Sequence, residues 1–290
     1  MWNDIAAQIS QVTGKPFQPN NPRSIGGGCI NSGYAVSDGD RTYFVKLNQA
    51  SQRAMFTAEA AGLKQMVATQ TIRVPHPICW GTAGNSAYLV LEWLEFGRSN
   101  SATAWEAMGH QLAAMHRHTS DSGFGWQQEN TIGSTPQINT WTADWTEFWT
   151  EHRIGYQLQL GQRRGGHFPK GNQLLATIPQ LLAGHTPIPS LVHGDLWSGN
   201  AAIAQTGEPV IFDPATYYGD REVDLAMTEL FGGFPTAFYQ GYNQAFPLGA
   251  GYQQRKILYN LYHILNHFNL FGGSYAGQAN RMIDQLLSYC

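Results

Sequence analysis

The sequence predicts an α+β protein of two lobes, a small β-rich part over residues 1–94 and a larger, mainly helical part over residues 95–290. Two observations carry this. Between Ser24 and Leu94 the apolar residues fall mostly in short alternating runs, and beyond Leu94 they recur at helical spacing. The length of 290 residues supplies ample core for either one large domain or two lobes. A cleft between two lobes is where a ligand is expected.

The elements follow in chain order. Residues 41–47 come after an Asp38-Gly39 hairpin signal and alternate, with Thr42, Phe44 and Lys46 on one face and Tyr43, Val45 and Leu47 on the other. Residues 50–70 lack proline and carry Phe56, Leu63 and Met66 at helical spacing, so a helix is expected there. Residues 86–92 form a second strand after the Gly84-Asn85 turn. Trp105, Met108, Leu112 and Met115 mark a long helix, and Trp141, Trp145 and Phe148 are expected to open another. These aromatic and methionine side chains read as core. Two short apolar runs, Ala201 to Ala204 and Val210 to Phe212, flank a Thr206-Gly207-Glu208-Pro209 turn, and helices then resume. No internal repeat or low-complexity tract is visible.

Composition narrows the function classes. Charged residues make up 13% of the chain, against roughly 25% in an average soluble protein. Their place is taken by 32 Gly, uncharged polar residues and 9 Trp, 13 Tyr and 14 Phe, a composition that buries well and excludes a disordered tail protein. A net charge of −3 and a pI near 6.3 give no basic field, so neither nucleic acid nor an anionic membrane is expected as a partner. The longest apolar run, around Ala87 to Leu94, is broken by Glu92 and falls far short of the ~20 residues that span a bilayer. Residues 1–4 are acidic rather than basic and no apolar stretch follows, so a cytoplasmic chain is expected. Cys29, Cys79 and Cys290 form neither a disulfide framework nor a CxxC metal site.

The stretch richest in chemistry is His193-Gly194-Asp195-Leu196-Trp197-Ser198-Gly199-Asn200, followed by Asp213 after the run Val210-Ile211-Phe212. It matches, with altered side chains, the kinase catalytic-loop pattern H-R-D-x-x-x-x-N and its later metal-binding Asp. A hydroxyl nucleophile needs a carboxylate to accept its proton. Mg²⁺, a hard ion, needs oxygen ligands such as an Asn amide and a second carboxylate. Lys46 lies mid-strand and Glu59 within the apolar stripe of the next helix, and two charges so placed most simply pair with each other. That is the arrangement with which kinases hold the α- and β-phosphates. Upstream, Gly26-Gly27-Gly28-Cys29-Ile30-Asn31-Ser32-Gly33 offers bare backbone amides to phosphates, though it is not a Walker A motif. Five parts thus appear in kinase order, and their agreement weighs more than any one of them.

The loop GGGCINSG, the run HGDLWSGN and the run Tyr217-Tyr218-Gly219-Asp220-Arg221-Glu222-Val223-Asp224-Leu225-Ala226-Met227 resemble the fructosamine kinase (ketosamine 3-kinase) family over essentially the whole chain. This family belongs to the aminoglycoside phosphotransferase and choline kinase group of protein-kinase-like folds. The resemblance implies ATP-dependent phosphorylation of the 3-hydroxyl of ketosamines (ribulosamine, erythrulosamine or fructosamine) on small amines or proteins. The 3-phosphate is unstable, so the amine is freed. It further implies Asp195 as catalytic base, Asn200 and Asp213 as Mg²⁺ ligands and Lys46 with Glu59 as phosphate clamp. Gly26, Gly27, Gly28, Cys29 and Asn31 would cover the phosphates. The backbone of Glu92, Trp93 and Leu94 would form the hinge that meets adenine. A sugar face is expected to stack on Trp197, and His193 to orient the loop. Asp224 reads as a helix N-cap. Cys29 is a candidate redox switch that would link two chains of an otherwise monomeric protein.

Departures from the protein-kinase pattern also count. Asp213 is followed by Pro214-Ala215 and no Ala-Pro-Glu motif appears, so no activation-loop switch is expected. His263 and His267 stand four apart on a helix but lack a third metal ligand. The alternatives are a kinase of the same fold acting on an aminoglycoside- or choline-like hydroxyl, and an inactive kinase-like binding module. The intact Lys46, Glu59, Asp195, Asn200 and Asp213 speak against the second.

Overall fold

The computed structural model describes residues 1–26, 30–97 and 101–290. Five antiparallel strands form the N-terminal sheet in the order β1-β2-β3-β5-β4, where β1 is Arg23–Ile25, β2 Ser32–Ser37, β3 Thr42–Gln49, β4 Pro77–Ala83 and β5 Ser86–Glu92. The alternation in β3 sorts its side chains as expected. Tyr43, Val45 and Leu47 pack under helix α1 (Trp2–Thr13), while Phe44 joins Phe56, Leu63 and Met66 of helix α2 (Arg53–Thr69). Helix α1 is absent from the sequence-based expectation. It buries only Ile5, Ala6 and Ile9, a stripe too thin to stand out among its polar neighbours, and ends on Gly14 at φ 69.

The chain passes from β5 through residues 93–97 into helix α3 (Ala102–Met115), and the passage is pinned to the body below. Gly97 N donates to Ile203 O and Gln205 N to Glu95 O. Beneath lie a short hairpin, β9 (Ala201–Ile203) with β10 (Pro209–Ile211), and the antiparallel pair that brackets it, β8 (Ser190–Val192) with β11 (Tyr217–Gly219). A second hairpin, β6 (Asn130–Ile132) with β7 (Thr135–Gln137), packs from the side.

The remaining helices are α4 (Trp145–Phe148), α5 (Tyr156–Arg163), α6 (Gly171–Leu181), α7 (Glu222–Leu230), α8 (Thr236–Ala245), α9 (Tyr252–Phe271) and α10 (Tyr275–Leu287). Helices α3 and α8 touch backbone to backbone. A Cβ at Gly109 would lie 2.2 Å from Phe238 O, and one at Gly241 2.1 Å from Glu106 O, so only glycine fits at either position. The helix expected from Trp141 begins instead at Trp145, because Asp144 caps it by accepting the Glu147 amide at 2.8 Å. Trp141 stays outside, 37% exposed. Helix α4 continues into a π-helical stretch, Trp149–Gly155, and then into α5.

One apolar cluster fills the helical body around Trp145, Phe148, Trp149, Tyr259 and Leu265. A second runs from Phe56, Leu63 and Leu89 of the sheet region to Leu112, Leu191, Leu196 and Leu225 below it. Each such side chain, fully buried, contributes on the order of 1.5–3 kcal/mol. This shared core sets the sheet at a fixed position over the loops that carry the chemistry. Among the described residues no helix is long and apolar enough to cross a membrane.

Candidate active site

The two sides of the cleft meet at Lys46. Its Nζ donates to Glu59 Oε1 at 2.6 Å, joining mid-strand β3 to mid-helix α2, and it also forms a close ion pair with Asp213 Oδ1. Lys46 and Glu59 are nearly buried, whereas the Asp213 side chain is 46% exposed. Asp213 sits at φ 62, a left-handed conformation that costs a non-glycine residue roughly 1–3 kcal/mol and occurs preferentially at working sites.

The loop carrying Asp195 is held mainly through its backbone. Gly194 has φ 81, and a Cβ there would lie 2.2 Å from Ala215 O, so glycine is required. The amides of His193 and Gly194 donate to Asp224 Oδ2 at 2.7 Å and Oδ1 at 2.8 Å. Asp224 also meets His116 Nε2 at 3.0 Å, and His116 Nδ1 meets Tyr242 OH at 2.8 Å. Burial alone would raise the Asp224 pKa, but the hydrogen bond and charge of His116 hold it below the ordinary carboxylate value. Asp224 is therefore not the expected N-cap. It lies inside α7, fully buried, and clamps the catalytic loop from below.

His193 performs the orienting task expected of it. Burial pushes its pKa down to about 4, so the ring is neutral near pH 7 and no reservoir of protons. Its Nε2 meets Phe212 O at 2.9 Å and its Nδ1 accepts the Asp195 amide at 3.2 Å, which fixes the tautomer by its partners. Asp195 itself is partly buried, and desolvation raises its pKa to about 7 against the opposing hydrogen bond from Asn200. A carboxylate titrating there is matched to accepting a proton near neutrality.

Asn200 Nδ2 donates to Asp195 O at 2.9 Å, to Asp195 Oδ2 at 3.3 Å and to Asp213 O at 3.5 Å. With the amide nitrogen turned to the loop, Asn200 Oδ1 accepts no hydrogen bond among the described residues. That oxygen and the half-exposed Asp213 carboxylate are donors of the kind a hard divalent cation such as Mg²⁺ takes.

Trp197 is 38% exposed and meets Phe231 edge-on at 6.4 Å, and its ring lies so close over Gly199 that a Cβ there would be 2.3 Å away. Gly26 directly follows β1, and Asn31 Oδ1 accepts from Asn48 Nδ2 at 2.7 Å, tying the end of the glycine loop to β3. Gly27, Gly28 and Cys29 lie outside the described residues. At the expected hinge the Glu92 amide donates to His76 O at 2.9 Å and its carboxylate pairs with Arg73, while the Trp93 and Leu94 backbone groups make no hydrogen bond among the described residues. A cavity of about 440 Å³ lined by Arg73, Trp93, Leu94 and Glu208 adjoins the hinge but touches none of Lys46, Asp195, Asn200 or Asp213.

Two side-chain groups resemble metal sites and are otherwise engaged. His267 Nδ1 meets the His263 carbonyl at 2.7 Å instead of sharing an ion with its ring. His185, Asp220 and Glu222 lie within reach of one another, but Asp220 accepts from Tyr259 OH at 2.6 Å and Glu222 is bound twice by Arg255.

Fold and site together define a small-molecule phosphotransferase of protein-kinase-like architecture. An aminoglycoside phosphotransferase crystal structure shares that fold, with a TM-score of 0.61 at 16% identity over 98% of each chain. The chain belongs to the fructosamine kinase family, which it matches over residues 1–289. It is 63% identical over 286 residues to a protein of Synechocystis sp. assigned as a ketoamine kinase, covering 99% of this chain and 97% of that one. It is 45% identical over 294 residues to the chloroplastic protein-ribulosamine 3-kinase of Arabidopsis thaliana, covering 99% and 89%. A crystal structure of a Haemophilus somnus protein assigned as a fructosamine-3-kinase superposes with a TM-score of 0.94 at 32% identity, covering 99% and 98%.

Proposed function

We propose that this protein is a ketosamine 3-kinase that transfers the γ-phosphoryl group of ATP to the 3-hydroxyl of a sugar amine, ribulosamine above all. The observation that carries the reading is the convergence of Lys46, Glu59, Asp195, Asn200 and Asp213 in one cleft of a chain so similar to ribulosamine and ketoamine kinases. The lobes 1–94 and 95–290 enclose the nucleotide, with Trp93 and Leu94 presenting backbone groups to adenine and Gly26 and Asn31 bordering the phosphates. Lys46, steadied by Glu59, meets the phosphates.

Asn200 Oδ1 and the Asp213 carboxylate would hold Mg²⁺, which when bound neutralises charge on the phosphates and aligns them. Asp195 accepts the proton of the substrate hydroxyl as its oxygen bonds to phosphorus and ADP leaves. The exposed face of Trp197 supports the sugar. Positioning and charge neutralisation supply most of the acceleration. The resulting 3-phosphate is unstable and frees the amine, which makes the reaction a deglycation of amines or proteins.

The test is ATP-dependent phosphorylation of ribulosyl-lysine, fructosyl-lysine, an aminoglycoside and choline side by side. Ribulosyl-lysine is expected to turn over fastest. Faster turnover of the aminoglycoside or choline would replace this reading with that of another small-molecule kinase, and no turnover of any would make the protein a binding module.

A further inference from the structure

Across from the catalytic loop, buried polar side chains grip the segment that follows Asp213. Hairpin β6–β7 and the residues after it supply Asn130, Gln137 and Asn139, none more than 9% exposed. Asn130 Nδ2 donates to Thr216 O at 2.8 Å and Gln137 Nε2 to Ala215 O at 3.1 Å. These amides are themselves fixed. Gln137 Nε2 and Asn139 Nδ2 both donate to Asn130 Oδ1 at 2.8 Å, and Tyr262 OH donates to Gln137 Oε1 at 2.8 Å.

Behind them lies Arg153, fully buried and without a carboxylate partner among the described residues. Its Nη2 donates to Asn139 Oδ1 at 2.9 Å and its Nη1 to Ile138 O, and its guanidinium lies 4.2 Å from the Tyr217 ring centre and 4.5 Å from that of Phe148. It projects from the π-helical stretch, a distortion that recurs at functional sites.

Hiding a cation and three amides from water is costly, and apolar residues of similar size would close the same space. What the polar set adds is direction, because it aims donors at two consecutive carbonyls. On the opposite side Ala215 N donates to His193 O at 2.9 Å and Tyr217 pairs with Val192. Residues 215–217 are thereby held from both sides, which is the enforcement that a left-handed Asp213 two residues earlier requires.

We propose that Asn130, Gln137, Asn139 and Arg153 form a positioning cluster that presets the Asp213 carboxylate for the nucleotide-bound metal, so that no modification is needed to order this segment. The inference rests on the reading of Asp213 as a metal ligand. Asn130→Asp and Gln137→Glu are near-isosteric and turn each donor toward Thr216 O or Ala215 O into an oxygen. Mn²⁺ binding to the full chain with ADP, followed by electron paramagnetic resonance of the free ion, reads the metal directly, and hydrogen exchange reads the amides of residues 215–217.

Each variant is expected to weaken Mn²⁺ binding about tenfold or more, in the range seen when groups supporting a ligand are removed, and to speed exchange at residues 215–217 while metal-free ADP binding stays within twofold. If one variant fails to fold by circular dichroism, the other carries the comparison. Asp213→Asn is the reference. Parental Mn²⁺ affinity in Asp213→Asn would remove the metal-ligand reading and this inference with it. Loss there, with parental affinity in the folded cluster variants, would overturn the positioning role alone.

Discussion

On the upper wall of the cleft, charge is placed by side chains on regular elements, Lys46 in the middle of β3 and Glu59 in the middle of α2, meeting at 2.6 Å. On the lower wall the Asp195 carboxylate is placed through its backbone. Two loop amides end on Asp224, Gly194 turns at φ 81, and His193 ties the loop to Phe212 O. Lys46 between two carboxylates gives a strong but local anchor, whereas the loop depends on three buried donors sharing Asp224. Breaking the upper wall should therefore cost a ligand contact as well as stability, and breaking the lower wall mainly structure.

The largest effect is expected from Asp224→Ala. It strips the acceptor from His193 N, Gly194 N and His116 Nε2, all buried, and should cost about 3–5 kcal/mol in urea denaturation together with a fall in kcat of at least about a hundredfold. A stable, active variant would mean the lower wall stands without its clamp.

Lys46→Met comes next. It leaves Glu59 buried without its cation, so about 3 kcal/mol of stability and at least tenfold in KM for ATP should go together. Adding Glu59→Gln should restore stability to within about 1 kcal/mol but not the ATP affinity. Recovery of both would show that the pair serves folding only.

The smallest effect is the pH dependence of Asp195. Its carboxyl must be ionised to accept a proton and its pKa is raised to about 7, so kcat/KM for the ketosamine should fall roughly tenfold per pH unit below that value. The stability sign is the reverse of a salt-bridged carboxylate. A folded-state pKa above the unfolded value means the ionised group opposes folding above about pH 7, and the penalty fades as pH falls toward 4. Asp195→Asn should thus raise Tm by a few degrees at pH 8 and lose that advantage near pH 4.

The upper wall was almost wholly legible in the sequence because its signals are local. A lysine inside an alternating strand and a glutamate inside an apolar helical stripe are anomalies visible within a dozen residues. The motif from His193 to Asn200 and the strand end before Asp213 were legible for the same reason. The lower wall's supports were not. Asp224 meets a histidine 108 positions away and loop amides about 30 away, a convergence no periodicity encodes, so its carboxylate read as a helix cap. Arg153 and its amides were invisible for the same reason, since a polar residue in a helix or hairpin ordinarily faces water. The late start of α4 turned on Asp144, whose capping outweighed the aromatic spacing that drew Trp141 into the helix.

Everything proposed for this site turns on Asp195 taking the proton of a ketosamine 3-hydroxyl as phosphate is transferred. Phosphorus and carbon NMR of ribulosyl-lysine incubated with ATP, Mg²⁺ and either the parent protein or Asp195→Asn tests it most directly. Phosphate is expected on the 3-oxygen with the parent and, with the folded variant, a rate lower by roughly 10²–10⁴. Phosphate on another oxygen, or an unchanged rate with Asp195→Asn, would contradict it.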